Sequence, residues 1–391
     1  MDLPERYVRL CLRVEPHIDG FVDAYVGPPE WKHEVEGEGP VEPARLRDEA
    51  AALLDELDGA GLEEDRCRWL RGQLEALECV TARLAGAEMA WADEVERCFG
   101  VRPKRTETSA FAEAHRRMDA ALSGPGTLRE RYIAWEERNA VPRDTLVPAL
   151  ARLKDVLGPR AHALASMPPE EAVSYELVSG EAWLAYNWYQ GEYRSRIDVN
   201  ADLPISIILL AGLAAHEAYP GHHTERTAKD AHLLRRLGRV ETSITIISAP
   251  EALISEGIAT NALGQALGTD PFAVVAEVLD GLDVSFDPAE VQEIDRAAEA
   301  LEDVGTNAAF MLNEDDVARE DVEAYLCDWG LASDGKAARA IAFFTEPSSR
   351  IYVSTYSDGR RLCKDYVERA PGNFRRLLSE QLTVTDILDA A

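Results

Sequence analysis

The feature that most constrains this chain is a histidine-rich stretch, Leu209–Glu225, which reads LLAGLAAHEAYPGHHTE. Three of the eight histidines of the chain lie within it, and Glu217 follows the first of them. The stretch begins like the HExxH helix of zinc hydrolases, where two histidines one turn apart bind zinc and the glutamate is the general base. Pro220 occupies the position of the second histidine. The sequence therefore predicts a metal site that departs from the simple helical motif.

The residues after Glu217 decide which histidine is the second ligand. On an unbroken helix His223 returns to the direction of His216 but lies about 10 Å further along the axis, too far for one ion. Pro220 removes a helical hydrogen bond and Gly221 tolerates unusual backbone angles, so a two-residue bulge would bring His222 into place. We predict His222 as the ligand and keep His223 as the alternative. The competing interpretation is a helix end in which Pro-Gly is ordinary punctuation.

A third ligand is expected from a later helix that begins near Pro250. Glu256 lies there among apolar neighbours, in the run ALISEGIATNALG. A carboxylate on the apolar side of a helix costs free energy unless it is paired or bound to a metal. We predict Glu256 as the third metal ligand, and the alternative is a salt bridge to an arginine. Glu251 is interpreted as a first-turn charge favoured by the helix dipole.

A segment near the C-terminus, EPSSRIYVSTYSDGRR, offers hydrogen-bond donors for catalysis. Arg350, Tyr352 and Tyr356 fall within two turns, and the two tyrosines are one turn apart on one face of a helix. A tyrosine or arginine that points at the metal would donate to the oxyanion of a tetrahedral intermediate. We predict that one of the tyrosines, together with Arg350, has this role. The alternative is that both tyrosines pack in the core.

Three segments together resemble the family called domain of unknown function 885. They are the HExxPGHH stretch from His216 to His223, the SEGIA run around Glu256 and the upstream segment Tyr193–Pro204. The resemblance covers about residues 180–367 and is specific in the HExxPGHH stretch. A Y-x-x-G pattern at Tyr356 is also similar to a segment of that family. The resemblance implies a largely helical, zincin-like peptidase of the gluzincin type, with His-Glu and a distal glutamate at the metal.

The resemblance also gives a role to the strand-like alternation of Tyr193–Asn200, which directly precedes the metal helix. In gluzincins an edge strand beside the metal pairs with an extended peptide substrate, and the resemblance implies that role here. Strand addition recognises the backbone of a peptide with little discrimination among its side chains. The alternative is a hairpin with structural value only. An aromatic-rich segment, residues 171–190, precedes this strand and is interpreted as core or as a groove lining.

These observations predict a zinc-dependent hydrolase. One Zn²⁺ would be held by His216, His222 and Glu256, with a fourth position open. Glu217 would act as the general base, and Tyr352 or Tyr356, with Arg350, would stabilise the oxyanion. His223 would orient a ligand or contact the substrate. The expected substrate is a peptide or a small amide.

Two other functions remain open at this stage. The first is hydrolysis of a non-peptide amide or ester by the same residues in a closed pocket. The second is a catalytically inactive helical protein that binds a metal or ligand through a degenerate site. Glu217 speaks against the second, because a purely structural metal site has no use for a base next to its ligand. Manganese or cobalt in place of zinc, the oligomeric state and an endo- or exopeptidase preference are left open.

The charge of the chain excludes some partners. The net charge is −30, and arginine supplies nearly all of the positive charge. The lysines are only Lys32, Lys104, Lys154, Lys229, Lys336 and Lys364. An acidic, lysine-poor surface is typical of a halophilic protein kept soluble in high salt, and the alternative is an ordinary acidic protein. Nucleic acids and anionic membranes would be repelled, so we expect neither as a partner.

The expected location is the cytoplasm. The six cysteines form no C-x-x-C pair, and the charged N-terminus lacks an apolar stretch, so the chain reads as a reduced cytoplasmic protein. The most apolar run, residues 205–215, is about half the length needed to cross a bilayer. It is predicted to be the buried helix that carries the metal motif.

The predicted fold is mainly α, a multi-helix zincin-like fold with a short strand or hairpin beside the metal helix. Helical periodicity is expected over residues 4–18, 43–57 and 63–98, and further helices are expected to begin near Val141-Pro142 and Met167-Pro168-Pro169. The turn at Ser123–Gly126 is the best candidate for a boundary. It divides an N-terminal helical region, residues 1–125, from a catalytic region, residues 126–391, although one continuous domain fits equally well.

Overall fold

The structure, a computed structural model, describes residues 1–390 and is mainly helical, which confirms the predicted fold class. The helices of the first part are α1 Leu3–Val14, α2 Pro29–Glu38, α3 Pro43–Leu57, α4 Glu64–Leu84, α5 Trp91–Phe99, α6 Thr108–Ala121, α7 Leu128–Arg138 and α8 Arg143–Leu164. Those that follow are α9 Ile207–Leu213, α10 His222–Lys229, α11 Pro250–Leu267, α12 Pro271–Leu279, α13 Pro288–Ala298, α14 Asp303–Asn313, α15 Arg319–Trp329, α16 Asp334–Thr345, α17 Val353–Arg369, α18 Asn373–Ser379 and α19 Val384–Asp389. Among residues 1–390 no helix is both long and apolar enough to cross a membrane.

Five short strands form two sheets. They are β1 Val22–Tyr25, β2 Ala172–Val178, β3 Ala185–Tyr189, β4 Arg194–Asn200 and β5 Ile244–Ile246. β1 pairs with β5 in an antiparallel ribbon. The other three strands form a sheet in the order β2-β4-β3, in which β4 is parallel to β2 and antiparallel to β3.

The strand predicted at Tyr193–Asn200 is therefore present as β4, but its expected position as an edge strand is wrong. β4 has a partner on each side, so its backbone groups are already used. The reason is that the aromatic-rich segment before it forms β2 and β3, which the sequence analysis treated only as core or groove lining. The edge strands of this sheet are β2 and β3. The helix expected near Met167 is also wrong, because Pro168 and Pro169 lead into β2.

Most of the helical segments lie where the periodicity predicts them. The segment expected over residues 43–57 is α3, and the helix expected at Val141-Pro142 begins at Arg143 as α8. The long segment expected over residues 63–98 is divided into α4 and α5 by a break around Gly86, which has a positive φ of 93°. Glycine adopts this backbone conformation without the steric cost that a side chain would bring.

Two clusters of buried apolar side chains form the interior. The first joins α1, α3, α4 and α5 to side chains of α11, α14 and α17. The second joins α8 and the three-stranded sheet to α9, α12 and α13. The boundary near Gly126 stays a prediction, and the first cluster draws its side chains from both sides of it.

Helices α11 and α17 cross with their backbones in contact. A Cβ atom added at Gly257 would lie 2.3 Å from the carbonyl oxygen of Gly359. One added at Gly359 would lie 2.5 Å from the carbonyl oxygen of Leu253. Distances below 3 Å exclude any side chain unless a backbone moves. Because the helices approach this closely, the tyrosines at the start of α17 reach the Glu256 turn of α11.

This crossing leads to a prediction about stability. We expect Gly257→Ala to lower the free energy of unfolding by about 1–3 kcal/mol, since the added methyl group must push α17 away. Gly264→Ala on the same helix is the matched control, because no described atom lies within 4 Å of its added Cβ. In this control the better helix propensity of alanine should raise the free energy of unfolding by up to about 1 kcal/mol. Urea unfolding measures both, and equal shifts in the same direction would contradict the close crossing.

Candidate metal centre

The histidine-rich stretch folds as two helices with a break between them. Ser206 caps α9 by accepting a hydrogen bond from the Leu209 N–H, and the helix continues through the π-helical segment Ala214–Ala218. Tyr219 is extended, and α10 begins at His222. The predicted interruption at Pro-Gly is therefore a complete change of helix, and His216 and His222 lie on different helices.

Gly221 makes this change of helix possible. A Cβ atom at Gly221 would lie 1.9 Å from the carbonyl oxygen of His216 and 2.4 Å from that of Ala215. The N–H of Gly221 donates to the Ala215 carbonyl over 2.9 Å. The chain thus turns tightly against the end of the first helix. His222, the first residue of α10, is placed beside His216.

His216, His222 and Glu256 come together as the sequence predicts. Each offers one ligand atom, and these atoms lie within 4.8 Å of one another. Nε2 of His216 is 3.4 Å from Oε2 of Glu256, and Nε2 of His222 is 3.5 Å from Oε1. Ligand atoms about 2.0–2.1 Å from a tetrahedral zinc ion are about 3.3–3.4 Å apart. The two measured separations match this spacing.

Glu256 is 4% exposed, and its carboxylate is only partly satisfied by the protein. Oε1 accepts a hydrogen bond of 2.8 Å from the hydroxyl of Tyr352, whereas Oε2 is buried and has no hydrogen-bond donor among the described residues. Burial alone would raise the pKa of Glu256, but His216 and His222 lower it to about 2. Among residues 1–390 the ion-pair partners of Glu256 are His216 and His222, so the alternative of a salt bridge to an arginine is wrong. An unpartnered buried carboxylate oxygen that faces two imidazoles fits a bound cation.

His223 is directed away from this cluster. Its side chain is completely buried, with Nδ1 2.8 Å from Oγ of Ser195 on β4 and Nε2 2.7 Å from Oε2 of Glu171. The Tyr219 hydroxyl donates to the same Glu171 oxygen over 2.5 Å. Because both ring nitrogens have protein partners, the alternative of His223 as the metal ligand is wrong, and so is its predicted contact with substrate. Its other predicted role, orienting a ligand, stays a prediction. His223 instead ties α10 to the sheet.

Glu217 has a carboxyl group without a hydrogen bond or ion pair in the described part of the chain. Burial, assisted by the charge of Glu256 and opposed by that of His222, raises its pKa to about 7. Its main-chain carbonyl accepts a 2.5 Å hydrogen bond from the side-chain amide of Asn187 on β3. A buried carboxylate with a pKa near neutrality and no competing partner suits a general base.

The three residues predicted to stabilise an oxyanion have different surroundings in the structure. Tyr352 uses its hydroxyl to hold Glu256, so it supports a ligand. The ring of Tyr356 lies 5.8 Å from that of Tyr352, and Tyr356 is 37% exposed. Limited solvation of its hydroxyl and the charges of Glu256 and Glu217 raise the pKa of Tyr356 above its usual value. Arg350 pairs with Glu94 over 2.9 Å, and no contact in residues 1–390 joins its guanidinium to the cluster, so its predicted role is wrong.

A cleft of about 630 Å³ lies between α1, α2, β1 and the end of β3. It is lined by residues of β1 and by Trp188 at the end of β3, whose side chain is 41% exposed. Asp23 on β1 also lines the cleft, accepts a hydrogen bond from Tyr186 and pairs with Arg226. Besides burial and Glu256, the negative charge of Asp23 raises the pKa of Glu217.

The sequence analysis missed the polar side chains that surround the cluster. Asn187 and Asp23 lie on strands that it did not predict. Glu225 and Lys229 carry a detectable signal, since they follow His222 at spacings of three and seven residues and so lie on one face of α10. Both are buried and paired with each other. Charged residues in helical register with a predicted ligand are the pattern that could have revealed them.

Comparisons with known proteins identify the fold only. No protein-family model and no curated protein sequence matches the chain. The structure is similar to a "putative lipoprotein" from Colwellia psychrerythraea, with a TM-score of 0.53 and 15% identity over 88% of this chain. It is also similar to a "putative lipoprotein of unknown function" from Shewanella oneidensis, with a TM-score of 0.51 and 12% identity over 91% of this chain and 75% of that one. The chain spans about 65% of the length of the Colwellia protein.

Proposed function

We propose that this protein is a zinc-dependent hydrolase that cleaves peptide bonds or other amides. The observation that carries the proposal is the unpartnered, buried Oε2 of Glu256, which lies 3.4 Å from Nε2 of His216 in a cluster completed by His222. Two imidazoles and one carboxylate are a donor set of catalytic zinc sites, which keep a further position open. Membership of the family called domain of unknown function 885 is part of the same proposal.

The chemistry is divided between the ion and the chain. A bound zinc ion would act as a Lewis acid and lower the pKa of water at its open position. Glu217 takes the proton from the attacking water, which its unpartnered carboxyl group allows, and passes it to the leaving amine. Tyr356 donates a hydrogen bond to the oxygen that develops negative charge. Losing such a donor typically costs about 3 kcal/mol of transition-state stabilisation.

The substrate would approach along the cleft beside β3. β3 pairs only with β4 among the described residues, so no strand is bound at its second edge. Asn187 on this strand holds the main chain of Glu217, which couples the strand to the general base. We therefore assign to β3 the role that the resemblance implied for Tyr193–Asn200, which is pairing with an extended peptide substrate. Recognition of the backbone by strand addition supports a peptide as the substrate.

Hydrolysis of short peptides by zinc-loaded protein tests the proposal. We expect cleavage that stops when a chelator removes the metal and returns when zinc is restored. The second candidate, hydrolysis of small non-peptide amides or esters, would appear as activity on such compounds without activity on peptides. If zinc-loaded protein cleaves neither class of compound, the protein binds a metal without hydrolysing these substrates, and the hydrolase proposal is wrong.

The pKa values lead to a prediction about zinc binding. Burial by itself lowers the pKa of His222, but its hydrogen bond to Glu256 and the charge of that carboxylate raise it to about 9. His216, whose pKa burial lowers to about 4, is already neutral above pH 6. Zinc binding therefore displaces one proton from His222, and we expect affinity to rise about tenfold per unit between pH 6 and pH 8. Competition with a chromophoric chelator measures this slope, and a flat profile would contradict a protonated His222 in the metal-free protein.

We also propose the cytoplasm as the location, in a cell of high internal salt. The acidic, lysine-poor composition supports this.

A further inference from the structure

A chain of buried polar side chains lies behind His222. Nδ1 of His222 is 3.1 Å from Oγ of Ser255, and that hydroxyl is 2.5 Å from Oε2 of Glu225. The other oxygen of Glu225 accepts a hydrogen bond of 2.7 Å from Nζ of Lys229. Lys229 also donates to Glu251 over 3.1 Å. We call Ser255, Glu225 and Lys229 the supporting chain.

The supporting chain follows from the register of two facing helices. His222, Glu225 and Lys229 are spaced by three and four residues on α10, so they share one face. Glu251 and Ser255 are one turn apart on α11, and Ser255 immediately precedes Glu256. The helix that supplies one predicted ligand thus also supplies the hydroxyl that contacts the other.

The direction of the hydrogen bonds follows from the acceptor at the end. Burial alone would raise the pKa of Glu225, but Lys229 lowers it, so this group is an ionised carboxylate that only accepts. The Ser255 hydroxyl must donate to Glu225, and its lone pair is left to accept from His222. Nδ1 of His222 therefore donates its hydrogen to Ser255, and Nε2 is the ring nitrogen that faces Glu256 and becomes free for a metal when its proton is lost.

Lys229 makes the buried carboxylate tolerable. Glu225 is 2% exposed, and an unpaired carboxylate at such a depth would be protonated or displaced. Lys229 lies between Glu225 and Glu251, and both contacts are within 3.1 Å. The ammonium group keeps Glu225 charged, and the charge of Glu225 keeps the Ser255 hydroxyl turned away from His222.

We propose that Ser255, Glu225 and Lys229 are positioning residues that fix the ring of His222 with Nε2 available to a zinc ion. This inference rests on the proposed function, since it assigns a zinc ion to the cluster. None of the three residues would contact the ion, and each would act through His222. Partners of this kind typically change metal affinity about 10–100-fold when they are removed.

The test is a double-mutant cycle on zinc affinity, measured by chelator competition. We expect Ser255→Ala and Glu225→Gln each to weaken zinc binding about 10–100-fold. Both residues act through the same hydrogen bond to His222. The double variant should therefore have about the zinc affinity of the single variant that binds more weakly, and the two losses should not multiply. Ser255→Thr, which restores a hydroxyl, should bind zinc more tightly than Ser255→Ala.

Ser354→Ala is the matched control. Its hydroxyl is also buried but donates only to the carbonyl of Ile351, so we expect zinc affinity to change by less than about twofold. Circular dichroism establishes that each variant is folded. Wild-type affinity in folded Ser255→Ala, or multiplicative effects in the double variant, would overturn the supporting chain alone. Absence of zinc binding in the wild type would overturn the proposed function and this inference with it.

Discussion

Replacing Glu217 with glutamine is expected to lower the rate of amide hydrolysis by about 10²–10⁴-fold while leaving zinc binding intact. Glutamine has the same shape but cannot accept a proton from water. The Glu217 side chain is held by no described hydrogen bond or ion pair, so little of the structure should change with the substitution. Rates on a short peptide and the zinc content of the same samples measure the two quantities together.

Asp295→Asn is the matched control for this experiment. Burial also raises the pKa of Asp295, to about 6, and its carboxyl group makes no hydrogen bond or ion pair with the described residues. It differs from Glu217 in that it does not follow a predicted metal ligand. We expect its rate to stay within about twofold of the wild type, as for a substitution away from the site. Equal losses in both variants, or full activity in Glu217→Gln, would contradict the assignment of the base.

Exchanging the two adjacent histidines for alanine should separate a ligand from a structural residue. His222→Ala is expected to weaken zinc binding by about 10²–10⁴-fold, because one of three ligands contributes on the order of 3–5 kcal/mol of a total near 10–16 kcal/mol. His223→Ala should keep zinc affinity within about tenfold. It should lower the free energy of unfolding by about 1–3 kcal/mol, since Ser195 and Glu171 lose a buried partner.

Chelator competition and urea unfolding, applied to both variants, give these two quantities. The result that contradicts the geometry is the reverse pattern, in which His223→Ala loses zinc and His222→Ala keeps it. Loss of zinc from both variants would mean that the contact between His223 and Glu171 is needed to hold α10 in place.

The chemistry-bearing residues of the cluster could be predicted from the sequence because they obey local rules. His216 and Glu217 follow the opening of a known helical motif, and Glu256 is a charged residue among apolar helical neighbours. The choice between His222 and His223 depends on where the second helix begins. The contact of Gly221 with the His216 carbonyl fixes that point, and it is a tertiary feature that spacing along one helix does not encode.

Strand order and long-range partners could not be predicted for a related reason. β4 is recognisable from its alternating residues, but its central position depends on β2 and β3, which have an aromatic-rich sequence typical also of core segments. Arg350 is near Tyr352 in sequence, yet its charge is neutralised by Glu94, more than two hundred residues away. A sequence pattern identifies which side chains need a partner, and the packing of distant helices decides which partner each one finds.

The most direct measurement is elemental analysis of protein purified without added metal, in high salt, for the wild type and for His216→Ala. The proposed site predicts about one zinc ion per chain in the wild type and none in the variant, as expected when a ligand of a three-residue site is removed. A wild-type protein that contains no zinc, and takes up none on reconstitution, would contradict the metal centre on which the proposed hydrolase depends.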